Sequence, residues 1–378
     1  MKLTLKNTPE QVELIRAMGS RNNVVAAEAA EAFAAFLGPV VQQVIYQAGT
    51  AGAIYTDAPF DEDDSPSYPL DLYYNEGVNT VQVWSQNMAG GLPTSHVSGL
   101  SELKIATYRL DSAVSMLKKY ARKARLDVVS KSVERMAQEV LVKQERNAWA
   151  IILKALAEGT TSASSGSLQH VVKTEGSAAV TSFQLRDLND IMTRMKRVNE
   201  SFAGGTPANP YSRGITDLYC SPERMANIRS FAYNALGGST AGASATDLPA
   251  GVRQEIFDSA GMQEIYGVNI VELLELGVGQ KYNTLFDTLA GSTSFLDING
   301  ANGTAFTASD EIMVGIDNSK GSFIRPVARG ADGGATFVAM PDNQFATDRA
   351  DKLGFYGFLE EGRVCIDARA IVGIFLDL

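Results

Sequence analysis

Histidine and cysteine are almost absent from this chain of 378 residues. The histidines are His96 and His170, and the cysteines are Cys220 and Cys365. Two histidines exclude a multi-histidine zinc site, and a Ser-His-Asp triad would have to use one of them. Both lie in polar, loop-like stretches, which favours solvated surface histidines. Two distant cysteines imply no disulfide framework, so we expect a reducing cytosol.

Motifs that bind nucleotides or metals are also missing. There is no Cys-x-x-Cys pair, no Walker A sequence and no complete Gly-x-Gly-x-x-Gly, and the fragment Gly277-Val278-Gly279 does not open a helix. The acidic run at residues 61–64 lacks the glycine and the distal glutamate of a calcium loop, which favours a solvated acidic turn. We therefore predict no catalytic residues, no cofactor, no metal site and no enzyme activity.

Long hydrophobic runs are lacking, and negative charge predominates. Every apolar stretch is interrupted well before about 18 residues, so we expect neither a signal peptide nor a transmembrane span. The formal net charge is −10, which argues against adhesive binding to nucleic acid and against an anionic membrane as a partner. Hydrophobic residues make up 45% of the chain, which fits a globular protein.

The strongest positive signal is a long amphipathic helix that we place at residues 128–158. Its apolar residues recur at steps of three, four and seven and form one stripe. The regular part, 130–158, would span roughly 43 Å, about twice the mean helix length. Ser130 or Asp127 can cap its start, and Gly159 can end it. The stripe consists of Val133, Met136, Ala137, Val140, Leu141, Ala148, Ile151, Ile152, Ala155 and Leu156.

Residues 1–49 are predicted to contain two helices separated near Gly19. The second runs from Ala26 to about Tyr46, and Gly38-Pro39 should kink or divide it. Two short helices at this end of the chain make an arm more readily than a core. An undocked apolar stripe is unfavourable, so we expect the arm to pack across a subunit boundary or beneath the long helix. The stripe contains Phe33, Phe36, Leu37, Val40 and Val41.

Residues 50–103 consist of short β-prone runs punctuated by glycine and proline. This pattern indicates an extended hairpin with too few apolar residues for a core of its own. Because an isolated hairpin is marginally stable in water, we expect a neighbouring subunit to support it. The apolar groups predicted at that contact are Trp84, Met88, Leu92 and Pro93.

In residues 113–129, apolar and polar residues alternate weakly, which indicates a strand, but the apolar spacing also fits a helix. We favour a strand. This stretch contains a cluster of basic residues with one aromatic residue among them. We interpret it as a charged strand face paired with acidic neighbours rather than as a nucleic-acid site. The basic residues are Lys118, Lys119, Arg122, Lys123 and Arg125.

The second half is typical of an α/β module. A strand at 215–220 ends at Cys220, which we interpret as a buried structural cysteine, and Ser221-Pro222 opens a helix. A further strand with a turn is predicted at 265–271, and 283–310 has the composition of a surface insertion. The remaining β segments are expected at 311–316 and 322–327, which could form a hairpin, and at 354–358 and 363–375.

Three segments in this order resemble the major capsid proteins of tailed phages, which have the HK-97-like capsid fold of the α+β class. "ITDLYCSPERMANIRSF" (215–231) is similar to a strand, Ser-Pro-Glu and helix of the family's axial domain. "MQEIYGVNIVELLEL" (262–276) resembles a recurrent strand, and "GFYGFLEEGRVCIDARAIVGIFLDL" (354–378) resembles the closing segment. The resemblance covers nearly the whole chain.

The resemblance implies an N-terminal arm, an E-loop hairpin, a spine helix, a peripheral domain and an axial domain. The corresponding ranges would be 1–49, 50–103, 104–181 with the spine helix at 128–158, 182–353 with the insertion 283–310, and 354–378, whose strands return to both sheets. The family's E-loop cross-link is not expected, because Lys104, at the loop base, is the only lysine between Lys6 and Lys118.

The resemblance also implies a shell protein that assembles with itself into hexamers and pentamers around double-stranded DNA. Portal and cement or decoration proteins would be partners, the DNA would be a non-specific neighbour, and no membrane would be involved. The protein would be made in the host bacterial cytoplasm and reside in the virion capsid. Two alternatives stay open: an encapsulin-type nanocompartment shell, which shares the fold but generally lacks so long an arm, and a cytosolic α/β enzyme.

Overall fold

In a computed structural model, the chain folds into two compact units. The first unit comprises the described residues within 1–68, 103–148 and 323–364, and the second those within 69–102, 149–322 and 365–378. The structure describes residues 8–47, 49–61, 65–69, 102–123, 126–163, 166–175, 182–200, 214–230, 264–329, 338–342 and 352–378.

A six-stranded sheet forms the base of the first unit. Its longest pairing joins β4 and β16, which run antiparallel along their whole lengths, and β1 runs parallel to β14. Strand β15 pairs with the middle of β16. The strands are β1 (Thr56–Asp61), β4 (Tyr108–Leu117), β14 (Phe323–Arg329), β15 (Val338–Pro341), β16 (Lys352–Glu361) and β17 (Val364–Cys365).

Three N-terminal helices, α1 (Pro9–Met18), α2 (Asn23–Gln47) and the short α3 (Ala51–Ile54), belong to the first unit. Thr8 caps α1, because its Oγ1 accepts a hydrogen bond from the Gln11 backbone N–H at 3.4 Å. Helix α2 runs unbroken through Gly38-Pro39, so the predicted division there is wrong. A proline inside a helix removes one backbone hydrogen bond and crowds the carbonyl four residues earlier, which can kink a helix without ending it.

The first part of the predicted arm lies in the core of its own chain. Ile15 and Met18 of α1 and Phe33 of α2 are buried in one cluster with Met136 and Val140 of the long helix. The buried residues of this segment therefore pack with the long helix, which was the second of the two predicted arrangements. An apolar helix face is stabilised by any surface that covers it, and here the chain itself supplies that surface.

The predicted long helix is confirmed as α5 (Leu126–Ala157), called the spine helix below. Ser130 and Asp127 both lie inside it, so neither occupies the capping position before its first residue. The helix ends before Gly159, where the ring of His170 lies 2.7 Å from the place that a Cβ would take, which leaves room for glycine alone.

The buried face of the spine helix differs from the predicted stripe in its second half. Trp149 and Leu153 have no exposed surface, although neither was included in the stripe. Leu141, in contrast, is half-buried. Polar side chains at the middle of this helix meet polar neighbours: Gln144 is buried and donates to Glu361, and the Glu145 carboxylate accepts from the Ala51 N–H at 3.1 Å.

The segment between β4 and the spine helix is not a continuous strand. Strand β4 ends at Leu117, and α4 (Lys118–Arg122) follows it. The prediction of a strand over 113–129 is therefore wrong beyond Leu117. The alternative interpretation, a helix, is correct for residues 118–122, where Ala121 is fully buried on the inner side of α4.

A second six-stranded sheet forms the base of the second unit, in the order β7-β18-β13-β8-β10-β9. Strands β8 and β10 are parallel, which requires a crossover connection, and helix α7 lies within it. The strands are β7 (Val171–Lys173), β8 (Asp217–Cys220), β9 (Glu264–Ile265), β10 (Val268–Glu272), β13 (Glu311–Ile316) and β18 (Ile371–Leu376), and the helices are α6 (Leu185–Glu200), α7 (Pro222–Ser230) and α8 (Lys281–Ala290).

The hairpin that the strands at 311–316 and 322–327 could form is not present. The strands at 311–316 and 323–329 belong to different sheets, so 318–321 is not a hairpin turn. Instead, Asp317 accepts a hydrogen bond from the Ser319 N–H at 3.1 Å and starts a 3₁₀ helix, Asn318–Lys320. The end of the chain contributes to both sheets, because β17 pairs with β14 in the sheet that contains β4, whereas β18 pairs with β13 and β7 in the other sheet.

The predicted surface insertion at 283–310 contains core residues. Helix α8 and the small pair β11 (Ser294–Phe295) and β12 (Thr304–Ala305) occupy this stretch. The ring centroids of Phe286 and Phe306 are 4.9 Å apart, and that of Phe306 is 5.6 Å from Phe375 of β18. Glycine, serine and threonine dominate the composition here, but the few aromatic side chains determine the burial.

The base of the predicted E-loop hairpin is a two-stranded pair, β2 (Ser67–Pro69) and β3 (Glu102–Lys104). Residues 56–61 at the start of the predicted range instead form β1 of the first sheet. Residues 70–101, which connect β2 to β3, lie outside the described part of the chain. A separate hairpin, β5 (Thr160–Ala163) and β6 (Gly166–Gln169), precedes β7.

Candidate functional site

The histidine and cysteine side chains that the structure describes are not arranged for catalysis. His170 is buried rather than solvated, so the surface interpretation was wrong for it, and burial lowers its pKa to about 4. Burial raises the pKa of the Cys220 and Cys365 thiols to about 12, so both stay protonated near neutral pH. His96 lies outside the described residues. The structural interpretation of Cys220 is confirmed by its complete burial.

The described residues contain neither a candidate metal-binding cluster nor a candidate membrane-spanning helix. Within the described ranges, no group of three or more histidine, cysteine, aspartate or glutamate residues is placed to hold a metal ion. Among the described helices, none combines the length and the apolarity that a membrane crossing needs.

Glu361, at the end of β16, is the centre of a buried polar network in the first unit. Its carboxylate accepts hydrogen bonds from Arg325 Nε at 2.7 Å, Tyr108 OH at 2.9 Å and Gln144 Nε2 at 3.0 Å. Arg363 Nε lies 3.4 Å away. Burial, with the charge of Glu361, raises the pKa of Tyr108 to about 12. These donors satisfy a buried charge, so the network fixes the spine helix, β4, β14 and β16 to one another.

Glu311, at the start of β13, has the same role in the second unit. Its carboxylate accepts from Arg224 Nε at 2.7 Å and from the Ser221 hydroxyl. The Ser221 Oγ in turn accepts from the Arg224 N–H at 3.1 Å, which confirms the predicted cap at the start of α7. Both carboxylates are buried and paired, so each network stabilises the fold of its unit.

Exposed apolar side chains are the described features that point to contacts with other molecules. In the first unit, Val24 on α2 is 64% exposed and Met340 on β15 is 46% exposed. Large apolar side chains on the surface of a well-packed protein are common singly, but several in one element mark a contact surface. Val25, next to Val24, is also exposed.

The loop after β10 is the clearest such surface in the second unit. Leu274 is 72% exposed and Val278 is 49% exposed, whereas Leu276 between them is fully buried. A hydrogen bond of 3.0 Å from the Gln280 N–H to the Gly277 carbonyl closes a tight turn and holds the loop in place. We did not predict this surface; the signal was the leucine-rich stretch that continues past β10 into a turn with two glycines.

The predicted contact residues have different outcomes. Phe33 is 3% exposed and its ring centroid lies 5.1 Å from that of Phe355, so its own chain covers it and the prediction is wrong for this residue. The side chains of Phe36, Leu37 and Val40 lie outside the described part of α2. The whole residues Trp84, Met88, Leu92 and Pro93 lie outside the described ranges.

The architecture of the two units is that of the HK-97-like capsid fold, as expected. The capsid structure of the cyanophage P-SCSP1u matches this chain with a TM-score of 0.52 at 13% sequence identity, over 87% of this chain and 88% of that one. At this identity the match establishes a shared fold. No sequence-based family profile and no curated protein sequence matches the chain.

Other solved structures lie at lower similarity. A chain of Microbacterium phage Oxtober96 gives a TM-score of 0.48 at 10% identity, over 86% of this chain and 90% of that one. The SrpI encapsulin of Synechococcus elongatus gives 0.42 at 9% identity, over 85% and 84%.

Proposed function

We propose that this protein is the major capsid protein of a tailed double-stranded DNA phage. The observation that carries the proposal is the fold shared with a phage capsid chain over nearly nine-tenths of both chains, 87% and 88%. Further support comes from the polar networks, which are satisfied internally, and from the exposed apolar residues on ordered elements. Many copies would assemble as hexamers and pentamers into an icosahedral shell.

The proposal includes the partners and the location of the protein. Its main partner would be itself, with a portal at one vertex and cement or decoration proteins on the shell. Packaged double-stranded DNA would be a neighbour without specific contacts. The chain would be made in the host bacterial cytoplasm, would reside in the virion capsid and would have no enzyme activity.

Imaging of purified particles tests this function. We expect the protein, expressed alone and viewed by negative-stain electron microscopy, to form large closed icosahedra or their hexameric and pentameric units. Uniformly small closed shells would indicate an encapsulin-type nanocompartment instead. Monomers at every protein concentration and ionic strength would contradict a shell role of either kind.

The E-loop hairpin is proposed as a contact between subunits. Trp84, Met88, Leu92 and Pro93 would lie on a neighbouring copy, and Phe36, Leu37 and Val40 of α2 stay in the proposed contact set. A variant in which a short turn replaces residues 70–101 keeps β2 and β3 and removes the hairpin. We expect this variant to fold and to form no closed shells, as measured by sedimentation and microscopy. Normal-sized particles would show that the hairpin is dispensable.

A further inference from the structure

A surface of basic residues lies in the first unit where the end of α1 meets α4. Five of its six residues are exposed and Lys118 is half-buried. We call it the basic surface; it comprises Arg16, Arg21, Lys118, Lys119, Arg122 and Lys123.

Close backbone packing brings these residues together. Arg122 Nε donates a hydrogen bond to the Gly19 carbonyl at 2.9 Å. A Cβ on Gly19 would lie 2.8 Å from the Arg122 backbone nitrogen, so the two chain segments touch. Arg16 and Arg21 are within three residues of Gly19, and the three lysines are within four residues of Arg122. Both helices end here, which gathers their basic residues on one part of the surface.

The described part of this chain supplies no carboxylate for the basic surface. None of the six residues forms an ion pair with another described residue. Arg122 bonds a carbonyl, and the Lys119 ammonium lies 5.1 Å from the centroid of the Tyr120 ring. Each helix C-terminus carries about half a negative charge, which neutralises only a small part of the six positive charges. The acidic neighbours expected from the sequence are therefore not in the described part of the same chain.

Charge complementarity identifies the partner. The chain has 33 basic and 43 acidic residues. Because the basic surface concentrates six of the basic ones, the rest of each copy is more acidic than its net charge of −10 suggests. Copies with that charge repel one another unless a positive area of one meets a negative area of the next.

We infer that the basic surface docks against an acidic surface of a second copy of this chain and steers the copies together during assembly. The inference rests on the proposed shell function and extends it, since it names a contact outside the E-loop. Such a contact is heterologous, because a basic patch meets a different, acidic patch, and heterologous contacts generate rings.

The test is an assembly assay without nucleic acid. A triple variant, Lys118→Gln, Lys119→Gln and Lys123→Gln, keeps Arg122 on the Gly19 carbonyl. The matched control, Lys143→Gln, Lys196→Gln and Lys281→Gln, removes the same charge from exposed sites elsewhere. At low ionic strength we expect the first variant to assemble about tenfold more slowly by light scattering, and the control to match the wild type. Added salt should slow the wild type and narrow this difference.

Each other outcome has a defined meaning. Equal assembly rates and equal salt dependence for both triple variants would overturn the inference. Unchanged assembly, together with salt-dependent binding of a DNA fragment that only the first variant loses, would overturn it in favour of a DNA contact. A wild type that never assembles would overturn the proposed function, and this inference with it. The assembly rate of the wild type can be measured against salt concentration without any variant. The inference can therefore be contradicted even if a variant fails to fold.

Discussion

The two six-stranded sheets differ in how completely the chain covers them. In the second unit, β13 and β18 are buried at every residue. In the first unit, β4 alternates between exposed and partly buried positions, and Met116 is its one fully buried residue. The strands of a sheet that is covered on both faces are continuously apolar. In a sheet with one face open to solvent, apolar and polar residues alternate along each strand.

The two units therefore differ in how much of the sheet surface the chain itself buries. In the second unit, this chain itself buries β13 and β18, which form a closed core. The first unit covers one face of its sheet with α1, α2 and the first part of the spine helix, and leaves many side chains of β4 accessible. Buried charge is stabilised in the same way in both units, since Glu361 in the first and Glu311 in the second each lie among hydrogen-bond donors. Substitutions can test whether the closed core is the less tolerant one.

The largest effect is expected from Trp149→Ala in the closed core of the second unit. Trp149 has no exposed surface, and its ring lies 5.1 Å from Tyr219 and 5.6 Å from Tyr282, between centroids. Loss of these contacts and the cavity left behind should lower the free energy of unfolding by about 3–5 kcal/mol, measured by urea denaturation.

Leu141→Ala, in the same helix, is the matched control for the first unit. Leu141 is half-buried, so we expect a cost of about 1 kcal/mol. If Leu141→Ala cost as much as Trp149→Ala, the distinction between a closed and an open unit would fail.

An intermediate effect is expected from Glu361→Gln in the first unit. The amide keeps the shape of the side chain but removes the charge that balances Arg325 at 2.7 Å and Arg363 at 3.4 Å. A hydrogen bond to a charged group contributes about 1.5–3 kcal/mol, so unfolding in urea should become easier by about 2–3 kcal/mol. Glu360→Gln, on the same strand and half-buried, should change little. If both substitutions lowered the free energy of unfolding equally, the charge of Glu361 would not be what stabilises the network.

An effect seen only at acidic pH is expected from His170 in the second unit. Burial lowers the pKa of His170 from 6.5 to about 4, so the unfolded chain binds its proton more tightly than the folded chain. The stability contribution is complete above about pH 6.5 and is lost as the pH falls toward 4. The loss should reach about 2 kcal/mol at pH 5.

Asp187 acts in the opposite direction over part of this window. Burial raises its pKa from 3.8 to about 6, so its protonation favours the folded state as the pH falls. The difference between wild type and His170→Gln isolates the histidine, because both proteins contain Asp187. Unfolding free energies measured from pH 7 to pH 4 should fall more steeply in the wild type. Parallel curves would show that His170 keeps its usual proton affinity in the folded protein.

Local signals in the sequence predicted many elements and their order. Ser221 followed by Pro222 started a helix because its hydroxyl satisfies a backbone N–H. The turn at Tyr266-Gly267, with φ angles of 53° and 79°, separates two paired strands, as the run from Ile265 to Val271 suggested. The spine helix followed from its periodicity to within two residues at each end. These features depend on neighbours in the chain, which the sequence contains.

The sequence by itself thus determined where helices and strands form and that catalytic motifs are few, and its resemblance to capsid proteins predicted the fold. The tertiary structure alone decided which sheet each strand joins, so that β13 and β14 separate although only a short 3₁₀ turn lies between them. It also decided that His170 is buried and that Phe33 is covered by Phe355. Strand pairing and burial depend on segments that are hundreds of residues apart, and local periodicity carries no information about them.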